Sequence, residues 1–236
     1  MNNIKFGIIG AMDSEVNALI GAMENAQETV TADMHFFDGV LCGVPAVVVK
    51  CGMGKVNAGI CAQILITCFH VTHVVNTGVA GSLDNAIDIG DFVVSVDAVQ
   101  HDYDVSPIGF HKGEIPYTGL YAFPADKELR ERAHASIRAA APEVHAFEGR
   151  ICSGDQFIAN KAQKNAITGT FGGKCCEMEG AAIAQVCYLN HIPFVILRAI
   201  SDKADESEGI PFEQFADEAA RRSQKVVAQM LHTLAE

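Results

Sequence analysis

No stretch of this 236-residue chain approaches the roughly eighteen consecutive apolar residues of a bilayer-spanning helix, so a helical membrane protein is not expected. The opening MNNIKFGIIGAM has one lysine and too short an apolar segment for a secretory signal, which points to a cytoplasmic protein. Positive charge is scarce: 17 Lys and Arg face 29 Asp and Glu, for a net charge of -12, with no basic cluster. A polyphosphate backbone would be repelled, and nucleic acid is a poor partner. CxxC pairs are missing as well. The cysteines at 42, 51, 61, 68, 152, 175, 176 and 187 lie among Val, Ile and Ala and read as small hydrophobes kept reduced. Adjacent Cys175 and Cys176 would point apart in a strand or a helix, and no second pair completes a tetrahedral set, so no metal site is expected. Without a GxSxG turn, covalent acyl chemistry finds no support.

What is present is a chain 49% hydrophobic and 19% charged, a balance that excludes disorder. Its length suits one domain over residues 1–236, large enough to bury a two-sided sheet. Short β-branched runs recur at 6–10, 46–51, 73–78, 91–99 and 193–201. Most are continuous rather than alternating, as in strands covered on both faces. Helical periods lie between them, in Leu129, Ala133, Ile137 and Ala140, and in Val226, Val227, Met230, Leu231 and Leu234. This alternation predicts a three-layer α/β/α fold. The segment KVNAGICAQILITCF, 55–69, is apolar on nearly every side and must be covered all round, within its own chain or by a second subunit of a homodimer.

Two glycine turns follow strands, in KCGMGKVNAG and NTGVAGS. Asn57 stands where the third glycine of GxGxxG belongs, and Val56 where a Walker lysine would be followed by Ser or Thr. Dinucleotides and nucleoside triphosphates are therefore poor ligands, which leaves a tight turn or a close approach to a smaller one. In GAMDSEV, Glu15 falls in the first turn of a helix, where the helix dipole alone would favour it. Asp202 ends the strand PFVILRAIS, a position equally suited to chemistry and to the start of a loop. His101, Asp102 and Asp104 in QHDYDV read as a polar loop rather than as metal ligands, and Phe157 in SGDQFI reads as core. Glu177 and Glu179 are set in CCEMEGAAIAQVC, where every neighbour favours burial. Two carboxylates there are exposed by the local geometry or kept for chemistry.

Taken together, GIIGAMDSEV, KCGMGKVNAG, NTGVAGS, SGDQFI, CCEMEGAAIA and RAISDKAD resemble, in order and spacing, the motifs of 5'-methylthioadenosine/S-adenosylhomocysteine nucleosidases of the purine nucleoside phosphorylase superfamily. The resemblance implies a nucleoside phosphorylase/hydrolase-like α/β fold with a mixed central sheet. It also implies a homodimer without metal or organic cofactor that releases adenine from a small adenine nucleoside. By it, Asp202 is the general acid at purine N7 and Glu15 the general base that holds the water. Glu179 binds the ribose beside the Met178 backbone, Glu177 supports that rim, and Arg198 keeps Glu179 charged. Phe157 stacks on adenine while the Ile158 backbone reads its edge. Met12, Met53, Val105 and Phe212 line the sugar and 5' pocket, and Ile108, Phe110 and Pro116 reach in from the partner subunit. Val79 stands where some members have serine. Acid and base roles for two carboxylates suit glycosidic cleavage, in which the base gains a proton and water loses one. Burial should raise the pKa of Asp202, and the helix N-terminus should keep Glu15 ionised.

Three other readings compete: a nucleosidase preferring aminofutalosine, a phosphate-dependent phosphorylase and a nucleoside-binding sensor without turnover. The first arginine is Arg130, whereas a phosphate pocket in this superfamily draws arginines from the first half of the chain. A sensor would have no need of both Glu15 and Asp202. The choice among methylthioadenosine, S-adenosylhomocysteine, 5'-deoxyadenosine and aminofutalosine falls to how the 106–120 loop closes.

Overall fold

In the computed structural model, which describes residues 4–205 and 212–235, all strands join one mixed sheet. The side chains of 212–214, 234 and 235 lie outside the described residues, those of Phe212 and Leu234 among them. The chain opens with β1 (Phe6–Gly10), α1 (Asp13–Gly21), β2 (Glu24–Thr31), β3 (Met34–Leu41), β4 (Val44–Lys50), α2 (Lys55–Phe69), β5 (His73–Ser82) and β6 (Phe92–Gln100). A short 3-10 turn (Ser106–Ile108) and β7 (Phe123–Pro124) lead to α3 (Lys127–Ala140), β8 (Ala146–Ser153), α4 (Lys161–Phe171), β9 (Cys175–Glu177), α5 (Gly180–Leu189), β10 (Phe194–Asp202) and α6 (Phe212–Ala235).

The expected layers are present around β1 and β4. Alternate residues of these strands feed opposite cores: Ile9, Val47 and Val49 pack with α2 and α5, while Ile8, Ala46 and Val48 pack with α1, α3 and α6. Both sets are fully buried, which is why the runs read as continuous rather than alternating. Beyond β5 the sheet departs from a flat middle layer. Strand β10 pairs with both β5 and β6, β6 with β8, β8 with β9, and β9 with β5, so five strands close into a ring. Register shifts at Ile200/Asp202 and at Ser95/Asp97 bend the strands that make this closure.

The hairpin of β2 and β3 was not anticipated, because β2 is solvent-exposed over almost its whole length and shows no apolar pattern. Three-residue β9 is too short to signal itself. The helix expected near Leu129 forms as α3, with the Asp126 carboxylate accepting from the Leu129 N–H at 2.9 Å as its N-cap. The covering expected for 55–69 is not supplied entirely by its own chain. Helix α2 buries Ala58, Cys61, Ala62 and Leu65 against α5 and the sheet, but leaves Val56 72% and Ile60 42% exposed.

The N-terminal helix α1 is gripped from the side by α6. Gln224 Nε2 donates to the Ser14 carbonyl at 2.6 Å and its Oε1 accepts from the Ala18 N–H at 2.8 Å, two groups that a plain helix would pair with each other. Gln224 is buried. Gln224→Leu should therefore destabilise the protein by about 1–3 kcal/mol, the cost of stranding buried polar groups, as read by urea unfolding. An unchanged midpoint would show that the helix re-pairs without loss.

Candidate active site

Strands β1, β5 and β10 run parallel, so their carboxyl ends meet at one edge of the sheet, the usual place for a ligand in an open α/β fold. A cleft opens there, a concave place of the kind small ligands occupy. Ala11, Met12 and Glu15 line it after β1, Val79 to Gly81 from β5, and Ser201 and Asp202 from β10. Gln156, Phe157 and Ile158 come from the loop after β8, Glu177 to Glu179 from the entry to α5, and Met53 from the turn before α2. Among the described residues that line it there is no lysine or arginine.

Glu15 is buried on the first turn of α1. Its Oε2 accepts from the Ala11 and Met12 N–H groups at 2.6 and 3.0 Å, and its Oε1 from the Val79 N–H at 3.0 Å. The helix N-terminus favours its ionised form as expected, but burial acts the other way. Desolvation lifts its pKa above the usual carboxylate range, and the charge of Arg198 and the three N–H donors only oppose the rise. Gly78 makes room for this meeting of strand, arginine and carboxylate, since a Cβ there would press on both Arg198 Nη1 and Glu15 Oε1.

Arg198 projects from β10 as a fully buried guanidinium. It donates to Glu177 and, at 2.6 Å, to Asn76 Oδ1, while Glu179 stands 3.8 Å away. Desolvation works against its charge, but the surrounding glutamates outweigh that and hold it protonated. Glu177 is saturated: it also accepts from the Ser153 hydroxyl and from the Glu179 and Gly180 N–H groups at 3.1 and 2.7 Å. Arg198 thus hydrogen-bonds to Glu177 and makes a longer ion pair with Glu179, a double partnership that was not expected from sequence. Glu179 accepts from the Gly54 N–H at 2.9 Å. Its own burial, with the charge of Glu177 beside it, raises its pKa to about 7 against the pull of Arg198.

Asp202 is partly buried, its Oδ1 accepting from the Ala204 N–H at 2.7 Å and its Oδ2 from the Ser201 hydroxyl at 2.9 Å. Ala204 adopts φ 53°, a left-handed turn that aims its N–H back at the carboxylate. Phe157 and Met53 form an exposed apolar rim, at 58% and 63%, and Phe157 is not core as its position alone suggested. Met12, Val79, Ile158 and Met178 line the cleft as well. Val105 is not among its lining residues, contrary to expectation: it caps the 3-10 turn of the 101–121 loop, and Ile108, Phe110 and Pro116 of that loop do not line this chain's cleft either. Among the described residues no group of three or more His, Cys, Asp or Glu side chains is placed to hold a metal ion.

Sequence reasoning missed Asn76, Ser153 and the Gly54 N–H, all partners of the buried charges. Asn76 was legible in principle as a polar residue inside an apolar strand. Ser153 and Gly54 carried no signal, because they meet the carboxylates only through the fold.

The raised pKa of Glu179 has a signed consequence for stability. A carboxyl whose folded pKa lies above its unfolded value near 4.5 contributes stability below that value and loses it as pH rises through about 7. Glu179→Gln should therefore gain over wild type between pH 5 and pH 8, by roughly 1–3 kcal/mol for a shift of this size. Thermal unfolding of both proteins across that range checks it, and a pH-independent difference would refute it.

The comparisons with known proteins agree with this geometry. Residues 5–232 match the family model of the Phosphorylase superfamily. The 5'-methylthioadenosine/S-adenosylhomocysteine nucleosidase of Geobacillus kaustophilus is 42% identical over 98% of each chain. The nucleosidase of that name from Neisseria meningitidis, solved in complex with methylthio-immucillin-A, superposes with a TM-score of 0.92 at 36% identity, over 97% of this chain and 99% of that one. The futalosine hydrolase of Helicobacter pylori superposes with a TM-score of 0.91 at 31% identity over 98% of each chain. By fold and by identity over nearly its full length, this chain belongs to the 5'-methylthioadenosine/S-adenosylhomocysteine nucleosidases of the phosphorylase superfamily.

Proposed function

We propose that this protein hydrolyses the N-glycosidic bond of 5'-methylthioadenosine and S-adenosylhomocysteine, releasing adenine and the 5-thioribose product. The observation that carries this reading is a single cleft holding Glu15, Glu179 and Asp202 beside an apolar rim of Met12, Met53 and Phe157. Phe157 offers a face for adenine, and the Ile158 backbone lies next to it for the purine edge. Glu179 accepts from the ribose hydroxyls, a strong hydrogen bond when it is ionised. Glu177 and Arg198, bonded to each other, form the support beneath it.

In the reaction the C1'–N9 bond breaks with its electron pair passing to the purine. Asp202 delivers a proton to N7 as this happens. A water attacks C1', forming the new C–O bond and losing its proton to Glu15. Desolvation raises the pKa of Glu15, which makes its carboxylate a stronger base toward the water. Positive charge developing on the sugar is met by a cleft lined with carboxylates and no cations. The same lining argues against the phosphorylase reading, since a phosphate anion would enter it against Glu15, Glu179 and Asp202.

The protein acts as a homodimer in this proposal, with the exposed Val56 and Ile60 of α2 in the interface. The Ile108, Phe110 and Pro116 loop would then be free to reach the partner's cleft. The free, mostly buried cysteines fit a reducing cytoplasm, and no helix among the described residues is long and apolar enough to cross a membrane.

In phosphate-free buffer the purified protein should release adenine from methylthioadenosine together with free methylthioribose. Strict dependence on phosphate, or a sugar 1-phosphate product, would overturn hydrolysis, and preferential cleavage of aminofutalosine would favour the reading suggested by the futalosine hydrolase likeness. Glu15→Gln and Asp202→Asn should each lower kcat by about a hundredfold or more while still binding an adenine nucleoside. A near-normal kcat in Asp202→Asn would move the acid elsewhere. Sedimentation at micromolar concentration should give a dimer, which Ile60→Asp should weaken; a fully active wild-type monomer would exclude the shared site.

A further inference from the structure

The segment QHDYDV, which the reaction as described leaves unused, supplies one end of a polar strap between the two halves of the cleft. Asp102, just beyond β6, accepts from Lys55 Nζ at 2.6 Å through Oδ1 and from the Asp155 N–H at 2.8 Å through Oδ2. Asp155 Oδ1 in turn accepts from the Lys55 N–H at 2.8 Å. Two loops are thereby tied together. One begins at Asp155 and continues into Gln156, Phe157 and Ile158, the wall assigned to the purine. The other is the Gly54–Lys55 turn, whose Gly54 N–H donates to Glu179, the group assigned to the ribose.

The fit around Gly54 is close. Its φ of 97° belongs to the region glycine favours, and a Cβ there would lie 3.2 Å from Asp155 Oδ1. The strap has a second anchor on the helix that begins after Glu179. Lys55 Nζ also donates to Gln100 Oε1 at 3.0 Å, and Gln100 Nε2 donates to Gln185 Oε1 of α5 at 2.6 Å. Burial disfavours the charge of Asp102, but Lys55 and the Asp155 N–H outweigh it and hold the carboxyl below its usual range.

We propose that Asp102 is a positioning residue that, through Lys55 and Asp155, sets the offset between the purine-facing loop and Glu179. This rests on the nucleosidase reading above. The purine and the sugar are joined by the bond to be broken, so their two holders must stand at one separation for both to engage. A misplacement of about 1 Å at such a site can cost about a hundredfold in rate. Neither Asp102 nor Lys55 lines the cleft, so neither touches the reacting atoms.

The test separates gripping one half of the ligand from gripping both. In a Glu15→Gln background, which prevents turnover, calorimetric titration compares adenine with methylthioadenosine, with and without Asp102→Ala. Adenine occupies only the purine wall, and its affinity should fall by no more than about threefold. Methylthioadenosine must engage both halves, and its affinity should fall by about tenfold or more, with part of the loss restored by Asp102→Asn, which keeps an acceptor. In the active enzyme, Asp102→Ala and Lys55→Met combined should cost no more in kcat/KM than the larger single change, because they cut one strap. Equal losses for the two ligands, no loss for either, or additive kcat/KM effects would overturn the proposal. Should Asp102→Ala fail to fold, Lys55→Met, which keeps the apolar stem, carries the same ligand comparison. A wild-type protein that releases no adenine from any of these nucleosides would instead refute the functional reading.

Discussion

One buried guanidinium organises the site. Among the described residues, Arg198 is the one cation set against three buried carboxylates, Glu15, Glu177 and Glu179, and taking any of these groups from water unpaired would cost several kcal/mol. The arrangement resolves this unequally. Glu177 takes the short ion pair together with hydrogen bonds from Ser153 and two backbone N–H groups, and is thereby committed to structure. Glu15 and Glu179 lie beside Arg198 without a short hydrogen bond to it, and desolvation raises the pKa of both against its pull. The division between support and chemistry follows from which carboxylate touches the arginine.

The backbone makes that concentration of charge tolerable. Glu15 receives N–H groups from the entry to α1 and from β5, and Glu177 receives them from the entry to α5. Helix N-termini carry positive potential, so two helices aimed at one edge supply part of the counter-charge that basic side chains would otherwise provide. The cleft can then present carboxylates alone to its ligand. That lining suits a substrate gaining positive charge and disfavours an anionic co-substrate, which separates hydrolysis from phosphorolysis on electrostatic grounds.

Closure of the sheet supplies the remaining geometry. Because β10 pairs with both β5 and β6, its carboxyl end is drawn over the end of β5, and Asp202 comes to line the same cleft as Glu15. Gly78 and Gly81 keep this crossing open: a Cβ at Gly81 would lie 2.8 Å from Asp202 Oδ1. Helix α2 illustrates a different constraint. Its buried side is small, built on Ala58, Cys61 and Ala62, and its other side remains apolar and exposed in the isolated chain.

The sequence by itself determined the class of fold, because strands buried on both faces must be written as continuous apolar runs and their helices as periodic ones. It also determined which carboxylates deserved suspicion, since Glu177, Glu179 and Asp202 stand in or at the end of segments otherwise suited to burial. Exposed β2 and three-residue β9 left too little pattern to read, and Glu15 was indistinguishable from an ordinary first-turn acid. Only the tertiary structure decided which carboxylate pairs with Arg198, that Val105 stands apart from the cleft, and that Gly54, Asn76 and Ser153 serve the buried charges. The physical reason is range: periodicity and propensity act over a few neighbouring residues, whereas solvation, charge and hydrogen bonding at this site join residues more than a hundred positions apart, and are defined only once the strands have closed.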